Sequence, residues 1–121
     1  MLETLTSGSD SPLDLVHLAR QCLGDQALEA ELLGMFRRQA PALMAQLFGS
    51  PSLPLGSKAR IAHTLRGSAL AVGAGRVANA ACRIEELASA TGDQSSVEAA
   101  AIAALLSAVD EALAEIDRIR G

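Results

Sequence analysis

At 121 residues, half of them hydrophobic, the chain can bury most of its apolar surface in one core without a metal or a disulfide framework. Ten Lys and Arg against 14 Asp and Glu give a formal charge of −4, and two Phe with no Trp or Tyr leave almost nothing on which nucleic-acid bases could stack. No apolar run reaches the roughly 18 residues of a membrane span, Met1 to Asp10 lacks the pattern of a secretory signal, and Cys22 and Cys82 stand far apart with no CxxC spacing. A cytoplasmic, reduced protein that binds neither nucleic acid nor membrane is expected.

Ala (24) and Leu (19) far outnumber Val (5) and Ile (5), which favours helix over strand throughout. Residues 1–10 are polar and uncapped and are expected to form a flexible tail ahead of one domain over residues 11–121. A first short helix is predicted from Ser11-Pro12 to Leu23, with Leu15, Leu18, Ala19 and Cys22 facing inward and Gly24 ending it. Asp25 caps a second helix to about Phe48, with Leu28, Leu32, Met35, Phe36, Leu43 and Leu47 at helical spacing and a kink expected at Pro41. The Gly, Ser and Pro residues between Gly49 and Gly56 mark a loop. A third helix is expected over Ser57–Val72, ended by Gly73, a fourth over Gly75–Thr91, ended by Gly92, and a fifth over Ser96–Arg120. In the last, Ile102, Leu105, Val109, Ala112, Ile116 and Ile119 recur in steps of three and four, the spacing of a bundle seam. The fold class follows: all-α, an antiparallel four-helix bundle with a short N-terminal covering helix.

Charge is segregated. No acidic residue occurs between Leu32 and Ile84, where Arg37, Arg38, Lys58, Arg60, Arg66, Arg76 and Arg83 supply seven positive charges. Clustering alone leaves two readings open: an anionic partner docks on this segment, or its cations face the acidic helices and solvent.

The third helix carries the chemistry. At about 100° per residue, Ala62, Leu65, Ala69 and Val72 share one stripe that must face the core, which puts His63 on the opposite side. Ala59 and Gly67 lie one turn either way, with Ala74 placed further along the same face, so the imidazole stands among residues that hardly project. A glycine inside a helix costs about 1 kcal/mol relative to alanine, and access to His63 explains Gly67 best. Arg66, three positions on, can reach back toward the ring and hold an anion there. A neutral imidazole is a good nucleophile toward an activated phosphoryl group. The chain has no GxxxxGK[ST] loop and no HExxH motif, so a phosphoryl group would have to come from another phosphoprotein. His17 reads as a surface residue beside Asp14 and Gln21, both cysteines read as small buried hydrophobes, and no metal site is expected.

The segment His63-Thr64-Leu65-Arg66-Gly67-Ser68-Ala69, followed by Val72-Gly73-Ala74, resembles the His-x-Leu-Lys-Gly-Ser-Ala pattern and the apolar-Gly-Ala sequel of the histidine-containing phosphotransfer (HPt) domains of two-component phosphorelays. Arg76-Val77-Ala78, Ile84-Glu85 and the stretch from Gly24-Asp25 to Pro41 look like flanking parts of that family, and the resemblance covers the chain from about Leu13. It implies that His63 is the phosphoryl acceptor, that Arg66, in place of the usual lysine, steadies the phosphoryl group, and that Gly67 leaves room for the partner. It also implies support from Glu85 and Ser68 and docking through Ala59, Arg60, Gly67, Leu70, Ala71 and Ala74. The partners implied are receiver domains of response regulators or hybrid histidine kinases, with the divalent metal on the receiver and no cofactor of the domain's own, which is expected to be a monomer. The alternative is an HPt-like interaction module without transfer activity.

Overall fold

A computed structural model of the chain describes residues 11–49, 53–90, 92 and 95–120, the side chains of Ser95 and Arg120 excepted. The expected tail over residues 1–10 lies outside the described residues, as do Thr91 and the centre of the loop after Gly49. Among the described residues five helices follow in order: α1 (Leu15–Gln21), α2 (Gln26–Gly49), α3 (Leu55–Val72), α4 (Gly75–Ser89) and α5 (Ser95–Arg120). α4 packs between α3 and α5, and α2 closes the ring against the same two helices. α1 lies over α3 and α2 as the covering helix. The all-α four-helix bundle expected from composition and periodicity is the fold found, and no strand occurs among the described residues.

The first helix starts later than expected. Ser11 uses its hydroxyl in a local turn, its Oγ donating to the Leu13 carbonyl at 2.8 Å. Asp14 is the true cap, accepting the His17 amide at 3.0 Å on its side chain. Leu18 and Cys22 face the core as expected, and Leu13, ahead of the helix, joins them, whereas Leu15 and Val16 are 46% and 62% exposed and Ala19 is half-buried. Leu23 and Gly24 both take positive φ at the turn into α2, where Asp25 accepts the Leu28 amide at 3.1 Å as its spacing predicts.

The buried face of α2 also differs from expectation. Leu33, Phe36, Ala40, Met44 and Leu47 are buried, whereas Leu28 and Met35 are exposed and Leu32 and Leu43 only partly covered. This helix carries apolar residues on more than one face, so spacing alone does not select the inner one. Pro41 sits within a continuous helix. α3 begins two residues early, at Leu55, and buries Ala62, Leu65, Ala69 and Val72 as its stripe predicts. The seam of α5 holds: Ile102, Leu105, Val109, Ala112 and Ile116 are buried and Ile119 packs at its edge. All the buried hydrophobics form one core cluster. Among the described residues no helix is long and apolar enough to cross a membrane.

Gly73 joins three elements. It caps α3 in the left-handed region at φ 77°, and its carbonyl accepts the Asp14 amide at 2.8 Å. A Cβ there would lie 2.6 Å from the Asp14 carbonyl oxygen. At Gly67, by contrast, an added Cβ would meet no atom within 4 Å. Gly73→Ala should therefore cost about 2 kcal/mol or more, from the left-handed backbone and the collision together. Gly67→Ala should leave stability unchanged or raise it by up to about 1 kcal/mol. Chemical denaturation of the two variants checks both, and equal destabilisation would contradict the account.

Candidate functional site

α3 and α4 run antiparallel from the Gly73 turn, so residues at similar distances before and after it face each other. This brings Glu85 of α4 to His63 and Arg66 of α3. Arg66 donates from Nε to Glu85 Oε2 at 2.8 Å and from Nη2 to Oε1 at 3.4 Å, a forked guanidinium–carboxylate pair. The same Nη2 lies 3.1 Å from His63 Nδ1, and Glu85 Oε1 lies 3.3 Å from that nitrogen. Both protein contacts to the ring thus fall on Nδ1, and among the described residues none engages Nε2. The His63 side chain is 67% exposed, against 33% for Arg66 and 23% for Glu85. The result is a ring held at one nitrogen by buttressed charges and open at the other.

The hydrogen bond from the Arg66 guanidinium holds the Glu85 carboxyl below the usual carboxylate range, against the opposing effect of partial burial. The same bond pushes Arg66 further up. Glu85 is therefore a carboxylate at neutral pH, and Arg66 carries a fixed positive charge beside the imidazole.

Gly67 continues the exposed face one turn beyond His63, and Leu70 follows, 49% exposed. Arg60 is exposed, with Ala59 and Ala71 half-buried at the edges. Ala74 does not belong to this face. It is fully buried, because the helix ends at Gly73 and the chain turns there, so extrapolating the α3 periodicity past the cap fails. Ser68 is likewise not at the ring: its Oγ donates to Gln39 Oε1 of α2 at 2.8 Å and links α3 to α2.

Two further corrections concern residues read as inert. His17 is no surface ornament, for its Nε2–H donates to the Leu70 carbonyl at 2.9 Å and ties α1 to the last turn of α3. Nothing local in the sequence signals a contact across 53 positions. Cys82 is only half-buried and directs its thiol toward Glu86 Oε2 at 3.9 Å, whereas Cys22 is buried as expected. Through His17, α1 abuts the Leu70 end of the His63 face, where it exposes Leu15, which was expected to face inward, and Val16.

The basic segment is largely spent within the bundle. Arg37 pairs with Asp117, Lys58 with Glu98, Arg66 with Glu85 and Arg76 with Glu111. Arg38, Arg60 and Arg83 are exposed and make no ion pair among the described residues. Among the described residues no cluster of His, Cys, Asp and Glu could hold a metal ion.

Because the Glu85 carboxyl is depressed in the folded state, its contribution to stability is fully present above the unfolded value of about 4.3 and is lost as pH falls through the lower folded value. Wild type should exceed Glu85→Gln by roughly 1 kcal/mol at neutral pH, a partly exposed pair contributing no more. Melting curves from pH 7 to 2.5 should show that difference closing only below about pH 4. A difference independent of pH would contradict the assignment.

A family model described as the Hpt domain matches residues 31–119. Among curated proteins and among solved structures, nothing matches the chain. The match takes in most of α2 and all of α3 and α4, together with nearly the whole of α5. Helical bundle, hairpin register and family match agree: the chain belongs to the Hpt domain family, whose members serve histidine phosphotransfer in two-component phosphorelays.

Proposed function

We propose that His63 is the phosphoryl acceptor of this domain, taking the group from the aspartyl phosphate of one receiver domain and returning it to the aspartate of another. The observation that carries this reading is the one-sided engagement of the ring. Arg66 and Glu85 both approach Nδ1, while no described residue engages Nε2 of this two-thirds exposed ring, and the side-chain position of Gly67 one turn on is empty.

In the transfer, the Nε2 lone pair attacks phosphorus. The N–P bond forms as the P–O bond to the receiver's carboxylate breaks, and the electron pair leaves on that carboxylate. During the attack the ring proton is on Nδ1, where Glu85 accepts its hydrogen bond and faces the positive charge the ring acquires. Arg66, two-thirds covered and adjacent, supplies a fixed cation to the phosphoryl oxygens. The divalent metal of such a reaction would belong to the receiver's acidic pocket. Delivery to the second receiver is the same step reversed.

The exposed face from Arg60 through His63 and Gly67 to Leu70 would be the docking surface. Charge from Arg60 would complement an acidic partner, and Leu70 would supply an apolar contact. Such a partner must bring phosphorus within about 3 to 3.5 Å of the imidazole nitrogen, a tolerance that leaves no room for a side chain at Gly67.

With a phosphorylated receiver as donor, wild type should acquire an acid-labile, base-stable phosphoryl group, and His63→Gln none. Full labelling of that variant, with His17 intact, would move the site elsewhere. Receiver binding without any labelling of wild type would instead make the domain an interaction module.

Gly67→Gln separates access from folding. Glutamine is the better helix former and the position is open, so the melting temperature should hold or rise. Transfer should slow by about two orders of magnitude, because the side chain occupies the approach. Transfer at the wild-type rate would contradict the access argument.

A further inference from the structure

The contacts around His63 Nδ1 cannot all be hydrogen bonds at once. Arg66 Nη2 lies 3.1 Å from this nitrogen and Glu85 Oε1 lies 3.3 Å from it. A guanidinium only donates and a carboxylate only accepts, whereas Nδ1 of a neutral imidazole presents either a lone pair or an N–H. If Arg66 is bound, the ring proton is on Nε2. If Glu85 is bound, the proton is on Nδ1.

We propose that Arg66 holds the free domain in the unreactive Nε2–H form of His63, and that Glu85 takes over the Nδ1–H form when an arriving phosphoryl group draws Arg66 away. The inference rests on the reading of His63 as acceptor and adds a selection of tautomer by the two residues flanking it.

Three observations favour Arg66 in the free domain. Its contact to Nδ1 is the shorter of the two, and its donor carries a charge that does not titrate near neutrality. Glu85, meanwhile, does not need the ring, because its two oxygens already accept from Arg66 Nε at 2.8 Å and Nη2 at 3.4 Å. A ring with its proton on Nε2 has no lone pair there, so it cannot form the N–P bond at its open nitrogen.

The acyl phosphate changes the competition. Its oxygens attract Nη2, the donor nearest the ring, and Nδ1 then loses its only donor. Glu85 Oε1, left beside the ring, favours a proton on Nδ1. The ring is two-thirds exposed, so solvent water can carry the proton from Nε2 to Nδ1, one proton leaving as one arrives. The Nε2 lone pair is then aimed at phosphorus while Arg66 lies on the phosphoryl oxygens. Glu85 is on this account a positioning residue: it touches the ring and Arg66, not the transferred group.

The arrangement depends on a planar donor that can bond a carboxylate through one edge and a ring nitrogen through the other, which a guanidinium provides. It gives the arginine at position 66 a second role besides charge, holding the nucleophile idle until a phosphoryl group is present.

Long-range 1H–15N correlation spectra of 15N-histidine-labelled protein, on the alkaline limb of the His63 titration, read the tautomer directly. Wild type should be predominantly Nε2–H. Arg66→Met, which keeps the apolar stem and removes the donor, should invert to predominantly Nδ1–H, and Glu85→Ala should stay Nε2–H. Melting curves verify that each variant is folded. A predominantly Nδ1–H wild type, or the same tautomer in wild type and folded Arg66→Met, would overturn the inference. No receiver enters this measurement, so its outcome is independent of the labelling of His63. Transfer without tautomer inversion refutes only the selection by Arg66 and Glu85, and inversion without transfer refutes only the acceptor assignment.

Discussion

The register between α3 and α4 is the constraint on which the site depends, and it is set at Gly73. The left-handed backbone there ends α3 within one residue, and the Asp14 amide on its carbonyl, with the Asp14 backbone packed against its α-carbon, fixes the turn from outside. His63 lies ten residues before this point and Glu85 twelve after, which at about 1.5 Å per residue places them some 15 and 18 Å along neighbouring helices. A one-residue slip in α4 would rotate Glu85 by about 100° and remove it from both the imidazole and Arg66. The covering helix α1 thus contributes to the site without touching His63, since Asp14 secures the turn and His17 secures the carbonyl of Leu70 just before it.

The segregation of charge along the chain serves first to assemble the bundle. Lys58 is the one buried charged residue among those described, and it pairs with Glu98 across α3 and α5. Arg37 and Arg76 reach the same acidic helix from α2 and α4. Exposed pairs of this kind each contribute little, whereas the Lys58–Glu98 pair, cut off from most solvent, resists the loss of either partner. What remains outward on the basic segment is a small set of arginines, among them Arg60 one turn from His63. The electrostatic signal in the sequence was therefore real but mostly internal.

The bundle, the α3 stripe, the α5 seam and the outward placing of His63 and Gly67 were legible because each rests on local periodicity or on a motif of contiguous residues. The errors arose where a distant contact decided a local outcome. α1 begins after its cap Asp14 because the chain before it turns on the Ser11 hydroxyl and the Asp14 amide is bonded to the Gly73 carbonyl, neither of which its own composition reveals. The inner face of α2 was only partly legible, Phe36 and Leu47 being buried as expected but Leu28 and Met35 not, because apolar residues surround that helix and only its neighbours choose among them. Ala74 was carried onto the docking face by extending a helical period past the residue that ends the helix. Glu85 was placed near the ring through the family resemblance alone, and the forked bond to Arg66 that gives it a role is visible only in three dimensions.

The central claim is that Nε2 of His63, left open while Nδ1 is held, is the atom that takes the phosphoryl group. One measurement addresses that atom: 31P–15N coupling in 15N-histidine-labelled protein phosphorylated by a receiver domain under conditions that preserve phosphohistidine. The account predicts a single phosphorus resonance coupled to Nε2 of His63, with the proton on Nδ1. Coupling to Nδ1 of His63, or to either nitrogen of His17, would contradict it.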